Sequence, residues 1–344
     1  MEETREQRIG SVLSSESAFR TRQANEAIYS PFFRSWNDVT PLSKAVRDRL
    51  TESVPWNTLS VVVILPSASG DAWKALLETG DGNRIESVLM RNSRGQFTVC
   101  VSTQVGCAMN CAFCATGKLG LERNLSQDEI VDQVRVLREF VSDSGLTGEI
   151  TNIVLMGMGE PLANYEEVRG ALRSFIGPMG IGTTRITVST VGLLAGLERL
   201  ISDPEWPPVR IAISLHAADE KTRAGIMPTT APGFFEGLVG WSQRYADAFP
   251  EKRRHLTLEY LLLSGVNDAE EDARKLVSLT RRIGKVRVNL IPYNATDSGL
   301  VGSSGNAVHR FRDRLEAGGV TVTIRKSQGG DIAAACGQLA GKAD

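Results

Sequence analysis

The sequence predicts an α/β fold, a partial (β/α)6 barrel with a small helical domain at its N-terminus. Three observations carry the prediction. Short apolar runs alternate with helix-patterned segments between residues 97 and 291. Those runs are apolar on both faces, as strands of a parallel sheet covered by helices are. The first stretch of chain, by contrast, is polar with apolar residues at helical spacing.

Residues 1–57 are expected to form the helical domain. Segments 19–33 and 41–52 carry the helical spacing, with Thr40 as the expected N-cap and Pro41 at the first helical position. Trp56 ends the region. A β-rich connecting segment, 58–96, follows. It holds two strand-like runs, 58–65 and 85–90, and Gly80-Asp-Gly-Asn83 supplies turn chemistry before the second. The barrel proper spans 97–344. Its strands are expected at 97–102, 150–156, 184–189, 209–214, 256–263 and 286–291, with helices between them such as 126–141 and 268–283. Ser126 begins a capping box that places Glu129 at the third helical position. A last strand, 320–325, leads into a Gly-flanked tail that carries Cys336.

Composition excludes several classes. With 344 residues and 42% hydrophobic content the chain can bury a large core. Its net charge of −1 excludes a uniformly cationic nucleic-acid binder, so an RNA partner needs local patches. Lys252-Arg253-Arg254 and Arg281-Arg282 with Lys285 and Arg287 could form such patches, or simply be solvated helix faces. No apolar segment approaches the roughly 20 residues that span a bilayer. The N-terminus lacks the apolar core of a secretory signal. A cytoplasmic protein is expected.

The five cysteines are Cys100, Cys107, Cys111, Cys114 and Cys336. An odd number, mostly crowded together, does not suit a secreted disulfide framework. Cys107-Ala-Met-Asn-Cys111-Ala-Phe-Cys114 has the spacing C-x3-C-x2-C and follows the first barrel strand, on the face where such sheets bind ligands. Three thiolates can hold three irons of a [4Fe-4S] cluster and leave the fourth open. An open iron can chelate the amino and carboxylate groups of S-adenosylmethionine and deliver an electron to its sulfonium, releasing a 5′-deoxyadenosyl radical. The competing reading is a structural zinc site. It needs a fourth ligand, and His216, His255 and His309 are all remote in sequence.

These residues also carry a resemblance. The stretch from Val99-Cys100 through Gln104-Val-Gly-Cys107 to Cys114-Ala-Thr-Gly-Lys118 and Arg123-Asn124-Leu125 is similar to the RlmN/Cfr family of radical S-adenosylmethionine methyltransferases. So are Met156-Gly-Met-Gly-Glu160-Pro161-Leu162, Ser214-Leu215-His216, Gly265-Val-Asn-Asp268, Asn289-Leu-Ile-Pro-Tyr-Asn294, Arg325-Lys326-Ser327 and Gly330-Asp-Ile-Ala-Ala-Ala-Cys336-Gly-Gln-Leu339. The likeness runs from about Arg84 to the end. It is weaker over the helical N-terminus, which matches an RNA-binding accessory domain.

The resemblance implies a radical-SAM barrel that methylates an adenine of 23S rRNA, with tRNA as a further substrate. It implies a [4Fe-4S] cluster on Cys107, Cys111 and Cys114. Two S-adenosylmethionine molecules per turnover would be contacted by Gly159, Glu160, Ser189, Ser214, Leu215, His216 and Asn294. Cys336 is the implied methyl carrier: methylated by displacement, it then loses a hydrogen atom and adds as a methylene radical to an electron-poor ring carbon. Cys100 is the implied partner that helps remove the ring proton and closes a transient disulfide with Cys336. Glu86 is the implied proton acceptor, though it lies one residue further from Cys100 than the family pattern. A one-electron reductant such as flavodoxin or ferredoxin, no membrane and a monomer complete the picture. Pro161 and Lys118 lean to the RlmN branch, which methylates carbon 2; Lys326-Ser327-Gln328 resembles the Cfr branch, which methylates carbon 8 and confers antibiotic resistance. A non-catalytic RNA-binding paralogue is the rival of another class, opposed by intact Cys100 and Cys336.

Overall fold

The computed structural model describes residues 3–250, 256–296 and 298–341; the basic run Lys252-Arg253-Arg254 and His255 lie outside them. Three helices open the chain, α1 (Arg5–Val12), α2 (Ala18–Tyr29) and α3 (Lys44–Ser53). They bury a core of their own around Ile9, Leu13, Ala24, Ile28, Trp36 and Leu50. The helix expected from Thr40-Pro41 begins later: Ser43 caps α3, its side chain accepting the Val46 N–H. Helix α1 precedes the two segments that carried the helical spacing and opens with a capping box of Thr4 and Gln7.

Strands β1 (Leu59–Pro66), β2 (Ala72–Thr79) and β3 (Arg84–Arg91) follow as an antiparallel meander, and β3 pairs antiparallel with β4 (Phe97–Cys100). The segment after residue 58 thus holds one strand more than its patterning suggests. After β4, β5 (Gln104–Cys107) and β6 (Gly120–Asn124) form a separate two-stranded ribbon. From there helix and strand alternate: α4 (Gln127–Asp143), β7 (Ile150–Leu155), α5 (Tyr165–Ile176), β8 (Ile186–Thr190), α6 (Leu194–Ser202), β9 (Arg210–Ser214), α7 (Glu220–Ile226), α8 (Phe234–Ala248), β10 (Leu256–Leu262), α9 (Glu270–Ile283), β11 (Val286–Pro292), α10 (Gly305–Ala317) and β12 (Thr321–Ile324). The capping box at Ser126 and Glu129 is present.

The sheet runs β1-β2-β3-β4-β7-β8-β9-β10-β11-β12, and neighbours from β4 onward are parallel. The partial barrel is therefore open, as expected, but β12 joins it as a seventh parallel strand. Its core is built from the apolar faces of these strands and the inward stripes of the helices, with Phe97, Val134, Phe175, Leu197, Trp241, Leu258 and Leu290 buried in it. Arg281 and Arg282 occupy the last turn of α9, and Arg282 pairs with Glu236. That end of α9 feeds the start of β11, on the side opposite the strand C-termini. Among the described residues no helix is long and apolar enough to cross a membrane.

One buried polar knot docks the helical domain on the barrel. Asp132 of α4 is fully buried. It accepts from Arg5 Nη1 at 3.0 Å and Nη2 at 2.5 Å, from Arg135, and from Thr58 N and Oγ1 at 2.7 and 2.8 Å.

Candidate active site

The C-terminal ends of the parallel strands enclose a cavity of about 150 Å³ lined by Cys107, Cys111 and Cys114, and by Gly159, Glu160, Ser189, Ser214, His216 and Cys336. The local sequence explains how the cysteines get there. Cys107 ends β5, and Gly106 lets that strand lie against its partner: with φ +76°, an added Cβ would sit 2.0 Å from Gly120 O. The loop then folds on itself, Cys114 N donating to Cys111 O at 3.0 Å, and Ala112 N donates to Ile226 O at the end of α7. Burial pushes Cys107 up to about 11 and Cys111 higher still, and the neighbouring thiols add to both shifts. Thiolates crowded there need a cationic partner, which iron supplies. The donor set, three soft thiols on one loop, suits an iron–sulfur cluster that spreads its ligands over separate irons. A structural zinc site would want a fourth protein ligand beside the three thiols.

The Gly-rich loop after β7 is pinned against the β4–β5 connection. Thr103 N donates to Met158 O at 2.8 Å, Met158 N to Ser102 Oγ at 2.9 Å and Glu160 N to Gln104 Oε1 at 2.8 Å. At Gly159 φ is +101°, and an added Cβ would lie 2.6 Å from Gln104 Cβ. Glu160 lines the cavity, but its carboxylate is engaged: Oε1 accepts from Leu162 N at 2.9 Å and Oε2 from Val191 N at 2.8 Å. It ties the β7 loop to the β8 loop, and burial raises its pKa.

Ser189 and Ser214, at the ends of adjacent strands, bring their hydroxyls within 3.4 Å. His216 adopts φ +57° and its Nδ1 accepts from Leu261 N at 3.0 Å. The ring is therefore neutral with its proton on Nε2, and burial, with Arg223 nearby, lowers its pKa to about 3. Leu215 is buried in the main core and does not line the cavity. Nor does Asn294, but its buried Nδ2 lacks a hydrogen-bond partner, a donor that a bound ligand would satisfy.

Cys336 lines both the main cavity and a smaller one, about 40 Å³, whose wall includes Cys100 at the end of β4. Burial raises Cys100 to about 12, and Cys336 adds to the shift. Cys336 itself is exposed in that wall, with the Arg325 guanidinium nearby. All five cysteines are free thiols. Glu86 lines neither cavity. Two residues on, Val88 pairs with Cys100 across β3 and β4.

Three residues of the site escaped sequence reasoning. Arg223 of α7 is buried, stacked 3.7 Å from the Phe234 ring. Its guanidinium donates to Leu215 O at 3.1 Å, Ser214 O at 3.1 Å, Val191 O at 2.5 Å and Thr230 Oγ1 at 2.8 Å. It thereby joins the loops after β8 and β9. Glu259 of β10 accepts from Asn289 Nδ2 at 2.9 Å and lies 3.5 Å from Arg325. Asn267 donates to His216 O and Leu261 O, both at 2.6 Å, and so fixes the backbone under the histidine. Glu259, a charge inside an apolar strand, and Asn267, within Gly265-Val-Asn-Asp268, offered a sequence signal; Arg223 did not.

Comparison with known proteins follows the geometry. Residues 101–277 match the radical SAM superfamily. The chain is 42% identical over 333 residues to the dual-specificity RNA methyltransferase RlmN of Solidesulfovibrio magneticus, covering 96% of this chain and 92% of that one. It is 38% identical over 330 residues to the ribosomal RNA large subunit methyltransferase N of Nitrosopumilus maritimus, covering 93% and 92%. A radical SAM methyltransferase from Sphaerobacter thermophilus superposes with a TM-score of 0.90 at 37% identity, over 98% of each chain. Membership of the radical SAM superfamily implies a [4Fe-4S] cluster and S-adenosylmethionine as cofactors. The three-thiol loop and the glycine-lined cavity beside it are thus the centre of a chain that belongs to the RlmN family of radical SAM RNA methyltransferases.

Proposed function

We propose that this chain methylates carbon 2 of an adenine in 23S rRNA, with tRNA as a second substrate, through a methyl group carried on Cys336. The observation that carries the reading is the position of Cys336 on the wall of two cavities, one holding the three cluster cysteines and the other Cys100. When bound, the cluster on Cys107, Cys111 and Cys114 and S-adenosylmethionine supply the methyl group and one-electron chemistry, with flavodoxin or ferredoxin as the electron source. The protein's own part is positional. Gly159 admits the backbone close to the cofactor's methionine end, Ser189, Ser214 and the His216 Nε2–H offer polar contacts, and Asn294 offers its unsatisfied amide. Cys336 carries the carbon. Cys100, shielded from solvent, resolves the RNA adduct by forming a disulfide with Cys336. The target base has to leave its stack to enter so enclosed a site.

Names of relatives support an RNA substrate, and the preference for carbon 2 rests on Pro161 and Lys118. Methylation of carbon 8 has one observation in its favour: Lys326, Ser327 and Gln328 line the smaller cavity beside Cys100. The two cysteines provide the test. Cys336→Ala should neither be methylated nor bind RNA covalently. Cys100→Ala should be methylated and then stall with RNA attached through Cys336, seen on a denaturing gel as a band lost on ribonuclease treatment. Full turnover by Cys100→Ala with no adduct would refute the reading.

A further inference from the structure

The tail that carries Cys336 is held on both sides of the cysteine. Before it, Gln328 Nε2 donates to Arg91 O at 2.9 Å and Asp331 accepts from Ala68 N at 2.6 Å. After it, Gly337 O accepts from Ala115 N at 2.7 Å and Leu339 O from Thr116 Oγ1 at 2.6 Å, tying the tail to the cluster loop. The final anchor is Glu86, whose Oε2 accepts from Ala340 N at 2.6 Å and Gly341 N at 3.1 Å. Its Oε1 lies 2.9 Å from Lys74 Nζ, and the two side chains are 1% and 3% exposed. They sit diagonally on neighbouring strands, Lys74 opposite Val88 and Glu86 opposite Leu76. Oε2 is thus hydrogen-bonded to the tail backbone, while Oε1 faces the Lys74 ammonium as an ion pair without a hydrogen bond.

A buried carboxylate survives only with such compensation, and charge-assisted bonds to backbone N–H groups are the strong kind. A proton acceptor for an adenine ring would need an oxygen facing the substrate cavity, and Glu86 lines neither cavity. We propose that the Lys74–Glu86 pair is the socket that seats the methyl-carrier tail, with Glu86 and Lys74 as positioning residues that act through the backbone of Ala340 and Gly341 and not as proton-transfer groups. Lys74 holds the carboxylate in place; Glu86 holds the tail; the tail sets where Cys336 points. The assignment rests on Cys336 as the methyl carrier.

The test uses reconstituted, reduced holoenzyme. Four variants are compared: Lys74→Met, Glu86→Gln, Lys74→Arg, and a chain ending at Leu339, which removes both tail donors without touching the core. Hydrogen exchange of the segment 335–339, present in every variant, reads how firmly the tail is seated. Single-turnover methylation of Cys336, followed by peptide mass spectrometry, reads its consequence. Lys74→Met, Glu86→Gln and the shortened chain should each speed exchange about tenfold or more and slow Cys336 methylation by a similar factor. Affinity for S-adenosylmethionine should hold, Lys74→Arg should restore both readouts, and combining Glu86→Gln with the shortened tail should add nothing. If Glu86→Gln left exchange and Cys336 methylation as in the parent chain but accumulated the RNA adduct, Glu86 would be the proton acceptor and the socket would be wrong. Exchange is measured whether or not Cys336 is methylated, so failure of the carrier reading shows separately, as an unmethylated Cys336 in the parent chain.

Discussion

Replacing Arg223 with Met should loosen the cofactor pocket without touching a residue of the cysteine loop. The guanidinium satisfies three backbone carbonyls and one hydroxyl. Hydrogen bonds to a charged group contribute about 1.5–3 kcal/mol each, and a buried acceptor left bare costs about 1–3 kcal/mol. Thr230 Oγ1 keeps its own bond to Met227 O, and the methionine stem still covers Phe234, so the sum is not additive. A total of about 3–5 kcal/mol follows, in the range of severe single substitutions. Unfolding entropy near 2.1 cal/mol/K per residue over 344 residues then lowers Tm by about 4–7 °C. The damage falls on Val191, Ser214 and Leu215, in the loops after β8 and β9 that border the cavity. If about 2 kcal/mol of it is recovered only when the loops are ordered by ligand, affinity for S-adenosylmethionine drops about 30-fold. Calorimetric titration of the reconstituted variant, beside a thermal melt, measures both quantities. An Arg223→Met protein with parental affinity and Tm would show that the loops hold themselves.

Two further outcomes are expected. Burial pushes the Asp132 carboxyl up, but Arg5 and Arg135 outweigh it and hold it well below the usual range. Its contribution is therefore present above about pH 4 and lost as pH falls below that, so acid unfolding should be less steep in Asp132→Asn; Asp132→Ala should cost about 3–5 kcal/mol and release the N-terminal helices to proteolysis. His216, with its pKa near 3, stays neutral across the working range. A titration of S-adenosylmethionine affinity should consequently show no inflection between about pH 5.5 and 7.5 from this group, whereas stability falls as pH drops below about 6.5, because only the unfolded chain takes up that proton there.

The parallel strands were legible because an apolar run buried on both faces needs no partner to be recognised. The three-cysteine loop was legible because its thiols lie within eight consecutive residues. Strand β2 was not. Ala-Trp-Lys-Ala-Leu-Leu-Glu-Thr is built of good helix formers, and tertiary contact overrides that preference by burying nearly all of it. The ribbon β5–β6 was missed because its strands are short and its shape rests on two glycines meeting. Arg223 reads in sequence as a surface helix residue; its four acceptors come from three separate loops. Glu86 meets Ala340 across a separation of 254 residues, which no local pattern encodes. What spacing can show is chemistry held within one loop, and what it hides is the partner that a distant segment brings.

The central claim is that the carbon delivered to RNA passes through a radical on Cys336. Holoenzyme given an RNA fragment of the large ribosomal subunit and S-adenosylmethionine with a fully deuterated methyl group decides it, by mass spectrometry of the digested nucleosides. The account predicts 2-methyladenosine carrying no more than two deuterons from the donor methyl, since one hydrogen atom leaves that carbon before it bonds to the ring, and no product from Cys336→Ala. A methyl group transferred with all three deuterons, or 8-methyladenosine as the sole product, would contradict it.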